Sequence, residues 1–112
     1  MPSRVRKYQG KRAYVGGKIS EGKFLNALRG YKLIGRRIRV GGREIDGLVE
    51  RGNIRAHVET TKTIVTLPKL QYYWNKYLNT RIATGANRLY VHGGGYTQAA
   101  KKFAKKKGIR LF

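Results

Sequence analysis

The chain predicts an α/β domain with one small mixed sheet and flanking helices, in the order α-β-β-β-α-β-α-β. Three observations lead there. Short β-branched runs are separated by glycine turns at Gly41-Gly42 and Gly52-Asn53. Stretches of helical spacing open at Ser20, at Leu67-Pro68 and at Thr97. At 112 residues the chain is long enough for one modest core and too short for two.

Residues 1 to 17 form a basic arm carrying Arg4, Arg6, Lys7, Lys11 and Arg12, with Tyr8 and Tyr14 among them. Residues 18 to 112 form the single domain. Ser20 is a suitable N-cap, Glu21 favours the first turn, and Phe24, Leu25 and Leu28 share a face until Gly30 stops the helix. Tyr31 to Val40 is a strand in which Ile34, Ile38 and Val40 alternate with Arg36, Arg37 and Arg39. A second strand covers Glu44 to Glu50 and a third Ile54 to Thr63. Pro68 suits the first turn of the next helix, whose apolar stripe is Leu70, Tyr73, Trp74, Tyr77 and Leu78. Lys69, Gln71, Asn75 and Lys76 fall off that stripe. Arg88 to His92 is a strand broken by the glycines at 93 to 95. Thr97 caps a last helix with Ala100, Phe103 and Ala104 inward and Lys101, Lys102, Lys105 and Lys106 outward. Gly108 ends it before a final strand over 109 to 112.

Lys and Arg number 26 against 5 Asp and Glu, a net charge of +21. Self-repulsion on that scale disfavours a compact state unless a polyanion offsets it, so nucleic acid is the expected partner. Arg36, Arg37, Arg39 and Arg43 make one cluster and the lysines of the last helix another. No apolar run approaches a membrane span of about 18 residues, and the start has no secretory h-region. The absence of cysteine excludes disulfides and thiolate metal sites, and fits an intracellular, cytoplasmic or nucleoid-associated protein.

The acids are the rarer signal. Alternation puts Asp46, Leu48 and Glu50 on one side of the second strand, and Arg55, His57, Glu59 and Thr61 on one side of the third. A hairpin at Gly52-Asn53 then lets Asp46 and Glu59 converge at one edge of the sheet, within reach of Glu21. Carboxylates from several elements can hold Mg²⁺ or Mn²⁺ against a phosphate. The competing reading makes Glu21 a helix-dipole partner and pairs Asp46 and Glu59 with arginines.

Glu21 on its helix, Tyr31-Lys32-Leu33-Ile34, Gly42-Arg43-Glu44-Ile45-Asp46 and Val58-Glu59 together resemble the PD-(D/E)xK nuclease superfamily. Within it the chain looks like Mrr-type restriction endonucleases and archaeal Holliday junction resolvases. The closing Gly94-Gly95-Tyr96-Thr97-Gln98-Ala99-Ala100 and Gly108-Ile109-Arg110-Leu111 resemble the strand–helix–strand end of Mrr-like domains. The resemblance covers roughly residues 20 to 112. It implies a restriction-endonuclease-like fold and metal-dependent endonuclease action on DNA phosphodiester bonds. Asp46 and Glu59 become the metal carboxylates, and Glu21 the helix acid. Resolvase-like members also imply a homodimer. The family's second strand reads Glu-x-Lys where this chain reads Glu59-Thr60-Thr61-Lys62. The lysine position is therefore Thr61, and either Lys62 re-aimed by a bulge or another lysine must serve.

Two non-enzymatic readings stand beside this one. The first is an inactive nuclease-derived packaging, nucleocapsid or chromatin-like protein, which would place it on DNA or in a virion. The second is a ribosomal, rRNA-binding protein. His57 shares the predicted face of Glu59, and is either structural or a water-positioning group. The glycines at 93 to 95 lack a Gly-Lys-Ser/Thr ending and serve backbone turning or close approach. Tyr73, Trp74 and Tyr77 read as core, leaving Tyr72 as the freer ring for base stacking.

Overall fold

The computed structural model describes residues 28–112. The basic arm, with Arg4, Arg6, Lys7, Lys11 and Arg12, lies outside the described residues, as does the helix position of Glu21. The described chain begins in the turn at residues 28–30 and continues as β1 (Lys32–Val40), β2 (Arg43–Arg51), β3 (Ile54–Thr60), β4 (Ile64–Val65), α1 (Leu67–Thr84), β5 (Arg88–His92), β6 (Gly95–Tyr96), α2 (Gln98–Lys107) and β7 (Arg110–Leu111).

The main sheet runs β1-β2-β3-β5-β7. Its first three strands form an antiparallel meander, and β3, β5 and β7 are parallel. The Gly41-Gly42 turn closes on the Val40 and Arg43 pair, with φ of 56° and 79°. Both angles are positive, as a two-residue hairpin turn that matches strand twist requires. Parallel neighbours need crossovers, and α1 and α2 supply them. Both crossovers step the same way along the sheet, so the two helices cover the same face.

Capping sets the helix limits. Thr66 accepts from Lys69 N at the start of α1, Pro68 occupies its first turn, and Gly85 at φ 75° ends it. Thr97 and Gly108 do the same for α2. The core under the helices gathers Leu48, Val65, Leu70, Tyr73, Tyr77, Leu89, Val91, Ala100, Ala104 and Ile109. Leu28, Val49, Ala56, Val58 and Tyr90 cluster separately. The stripe expected on α1 holds for Leu70, Tyr73 and Tyr77, with half-buried Trp74 stacked on Tyr77 at 5.2 Å. It fails at Leu78, which is exposed, and at Lys76, which is buried. Residue 76 follows Tyr73 by three and precedes Thr80 by four, so it shares their face.

The third strand is shorter than expected and stops at Thr60. Beyond it, the Thr61 hydroxyl bonds Thr63 Oγ1 at 2.9 Å and turns the chain. Ile64–Val65 then pairs in parallel with Gly95–Tyr96, a two-stranded sheet absent from the sequence expectation. The glycine run makes this possible by close approach, since a Cβ on Gly94 would meet Lys62 O at 2.1 Å. That contact is with the chain itself.

Packing of α1 sets a test. Leu70 is fully enclosed, whereas Ile82 is 86% exposed. Leu70→Ala is expected to cost about 2–5 kcal/mol and Ile82→Ala less than about 0.5 kcal/mol in urea unfolding.

Candidate active site

In an open sheet of parallel strands, sites form beyond the carboxyl ends. Here β3 delivers Glu59 to that end, and Thr61 N bonds His92 O at 2.9 Å to hold β3 against β5. Asp46 comes from β2 just past its last pair with β3, Gly47 with Val58. Its Oδ2 accepts from Thr60 N at 2.8 Å and from Thr60 Oγ1 at 3.2 Å, which ties β2 to the end of β3.

Glu59 is 2% exposed, and Lys76 Nζ lies 2.9 Å from its Oε2. Lys76 also donates to Glu44 O at 2.8 Å. The same ammonium sits 5.5 Å from the Tyr72 ring centre and 5.7 Å from that of Tyr73. A buried charge must be paired and bonded to be tolerated, and Lys76 meets both conditions. Burial pushes the Glu59 carboxyl up to about 7. Lys76 pulls the other way, while Asp46 and Glu44 add to the rise. The register that pairs Gly47 with Val58 sets Asp46 beside Glu59 on adjacent strands.

Tyr73 stands over the pair. Its phenol is pushed up to about 12 by burial first and then by the charges of Glu59 and Asp46, with a Thr61 hydrogen bond opposing. It remains an O–H donor at any working pH. Thr61 occupies the expected lysine position, and Lys69 Nζ donates to Thr61 Oγ1 at 3.3 Å and to Thr63 Oγ1 at 3.0 Å. Lys62 is exposed in the bend after β3. Lys76 is the amine that pairs with Glu59, and Lys69 is the amine that donates to Thr61. Both come from α1, seven residues apart, and both fall off the apolar stripe its sequence predicts. The signal that could have found Lys76 is a lysine falling in register with Tyr73 and Thr80.

Of the other acids, Glu50 pairs with Arg55 at 3.1 Å across β2 and β3, and Glu44 contributes its carbonyl. No arginine forms an ion pair with Asp46 or Glu59 among the described residues. His57 is enclosed beneath α1, where Nε2 contacts Thr84 Oγ1 at 2.6 Å and the ring meets Tyr77 edge-on. Burial, then Lys76, lowers its pKa to about 4, so it is a neutral core residue. Tyr72 is 62% exposed and borders the site through Lys76.

Arg36, Arg37, Arg39 and Arg43 are exposed on β1, β2 and their hairpin, next to Asp46. Lys101, Lys102, Lys105 and Lys106 are exposed on α2, which runs back toward the amino ends of the parallel strands. The lysine-rich end of α2 therefore lies away from Glu59. Asp46 and Glu59 offer the hard oxygen ligands Mg²⁺ favours. The two residues fit a divalent cation. No cluster of three or more His, Cys, Asp or Glu exists among the described residues, so water and phosphate oxygens would complete the shell.

No protein-family model and no curated protein sequence matches the chain. Solved structures do. The chain is similar to the "Protein of Unknown Function AF1548", with TM-score 0.69 and 22% identity, over 82% of this chain and 54% of that one. It is similar to EndoMS in its complex with double-stranded DNA, with TM-score 0.67 and 18% identity, over 86% and 42%. A repair endonuclease from Pyrococcus abyssi follows, with TM-score 0.64 and 15% identity, over 99% and 47%. The chain spans about half the length of these proteins. It has the restriction-endonuclease-like fold that they share.

Removing one partner of the buried pair isolates its role. Lys76→Met leaves an unpaired carboxylate and is expected to cost about 3–5 kcal/mol in chemical denaturation at pH 8. The double variant Lys76→Met with Glu59→Gln is expected to recover most of that loss.

Proposed function

We propose that this chain is a DNA endonuclease domain that hydrolyses phosphodiester bonds with Mg²⁺ or Mn²⁺. The observation that carries the reading is the convergence of Asp46 and Glu59 at the end of β3, with the Lys76 amine 2.9 Å from Glu59. The fold shared with EndoMS and the repair endonuclease supports it. Asp46 and Glu59 would hold the metal, and Glu21 belongs to the same proposal. When bound, the metal would polarise the phosphoryl oxygen and lower the pKa of a water molecule.

The chain's own groups do the rest. Lys76 fixes the Glu59 carboxylate and keeps positive charge beside it. Lys69, held over Thr61, offers a second ammonium where a phosphate would sit, and Lys62 belongs to the same proposal. The Tyr73 hydroxyl stays protonated and can donate. Arg36, Arg37, Arg39 and Arg43 contact phosphates near the site, and the lysines of α2 do so farther away. Such contacts give affinity without sequence information.

A second reading has its own observation. The Lys76 ammonium already neutralises Glu59, so the site is satisfied without a metal. A DNA-coating protein that kept this fold and lost cleavage would look the same.

Cleavage of plasmid and four-way-junction DNA with Mg²⁺ or Mn²⁺ separates the two. The endonuclease reading expects cutting by the wild type. It expects a loss of about 100-fold or more in Asp46→Asn and Glu59→Gln, with DNA binding retained. Binding without cutting by the wild type supports the coat.

The pH dependence has a definite sign. Glu59 must lose its proton to take a metal, and its folded pKa is raised from 4.5 to about 7. Mn²⁺ affinity by calorimetry is therefore expected to climb up to about tenfold per pH unit below about 7 and to level off above. Without metal, the folded carboxyl keeps its proton to a higher pH than the unfolded one, so stability declines as pH rises from 4.5 to about 7.

A further inference from the structure

The β1–β2 hairpin outruns the sheet it belongs to. The last pair joining β2 to β3 is Gly47 with Val58. Beyond it β1 and β2 stay paired at Ile38 with Ile45, Arg39 with Glu44 and Val40 with Arg43. At about 3.4 Å per residue, the ribbon reaches roughly 13 Å beyond that pair and about 7 Å beyond Thr60, where the third strand ends. Arg39, Gly41, Gly42 and Arg43 are all exposed there.

The overhang is also bent and anchored. Arg37 is the non-glycine residue of positive φ among the described residues, at 50°. Residues three apart face opposite ways in a regular strand. Here Ile38 folds over Gly35, where a Cβ would lie 2.9 Å from Ile38 Cδ1. The kink falls across from Asp46, between the pairs Arg36 with Gly47 and Ile38 with Ile45. Lys76 then holds the base of the ribbon through Glu44 O at 2.8 Å. One amine thus bridges the carboxylate site and the hairpin.

We propose that this ribbon selects the form of nucleic acid. It enters the major groove of B-form duplex DNA, with Arg39 and Arg43 toward base edges and phosphates, and so sets a strand against Asp46 and Glu59. The assignment rests on the nucleic-acid reading above. A B-form major groove, about 12 Å wide and about 8.5 Å deep, admits a two-stranded ribbon. The deep, narrow major groove of A-form RNA does not, and a single strand has no groove to enter. Charge on α2 attracts any phosphate chain and cannot make this distinction.

The test compares binding of the full chain to a short DNA duplex, an RNA duplex of the same sequence and the single strand, over a salt series. A dimethyl sulfate footprint at guanine N7 reports the major groove. The wild type is expected to bind the DNA duplex about tenfold or more tighter than the RNA duplex, with N7 protected. Arg39→Gln with Arg43→Gln is expected to flatten the salt slope by roughly two units and to remove the protection. The charge-matched Lys102→Gln with Lys106→Gln is expected to weaken binding to all three nucleic acids and keep the protection. The chain has no cysteine, so Arg43→Cys carries a single photo-crosslinker, expected to mark bases. Equal affinity for the two duplexes, protection that survives the arginine changes, or a crosslink confined to the backbone overturns the groove assignment alone. A wild type that binds no nucleic acid overturns the nucleic-acid reading and this assignment with it.

Discussion

The interaction on which the site depends is the buried contact of Lys76 with Glu59 and with the Glu44 carbonyl. A carboxylate enclosed at the end of a central strand would be costly to ionise alone. The ammonium offsets that cost in part, and burial still leaves the carboxyl raised to about 7. Because the same amine bonds the backbone of β2, it couples α1, β3 and the hairpin. Such a pair contributes less to net stability than its geometry suggests, since apolar residues of similar volume would often do as well. What it provides is position, at the end of the sheet where Asp46 also arrives.

Topology explains why the two acids meet at that end. The meander brings β2 beside β3, and two crossovers in one direction place both helices over one face. The stretch of α1 from Lys69 to Lys76 then lies along this end, with Lys76 on Glu59 and Lys69 on Thr61. The hairpin departs from the same corner, so positive charge flanks the two carboxylates. Under the proposed function, a polyanion drawn in by the +21 overall charge would meet that charge next to the acids.

Much of the fold was legible because its signals are local. Turn glycines, Pro68 in the first turn of α1, the Thr97 cap and the stop at Gly108 act within a few residues. The short sheet of Ile64–Val65 with Gly95–Tyr96 was not legible, since two-residue strands have no periodicity and pair only across a sequence gap. Within the site, Asp46 and Glu59 were readable from strand alternation and the Gly52-Asn53 turn. Lys76 was not, because a lysine on a helix is ordinarily solvated, and its burial depends on a carboxylate 17 positions earlier in the chain. Lys69 was missed for the same reason, with Thr61 as its distant partner.

Residue order is enough for the α/β class, the cationic character and the two acids that could meet at one edge. These follow from spacing and composition, which no tertiary contact can alter. Long-range packing sets which lysines attend those acids, how far the hairpin projects beyond the third strand, and that His57 serves the core. Each of these depends on which distant atoms fill the space around a side chain. The physical reason is desolvation: a group's charge state and partners are set by what displaces its water, and only the folded chain specifies that.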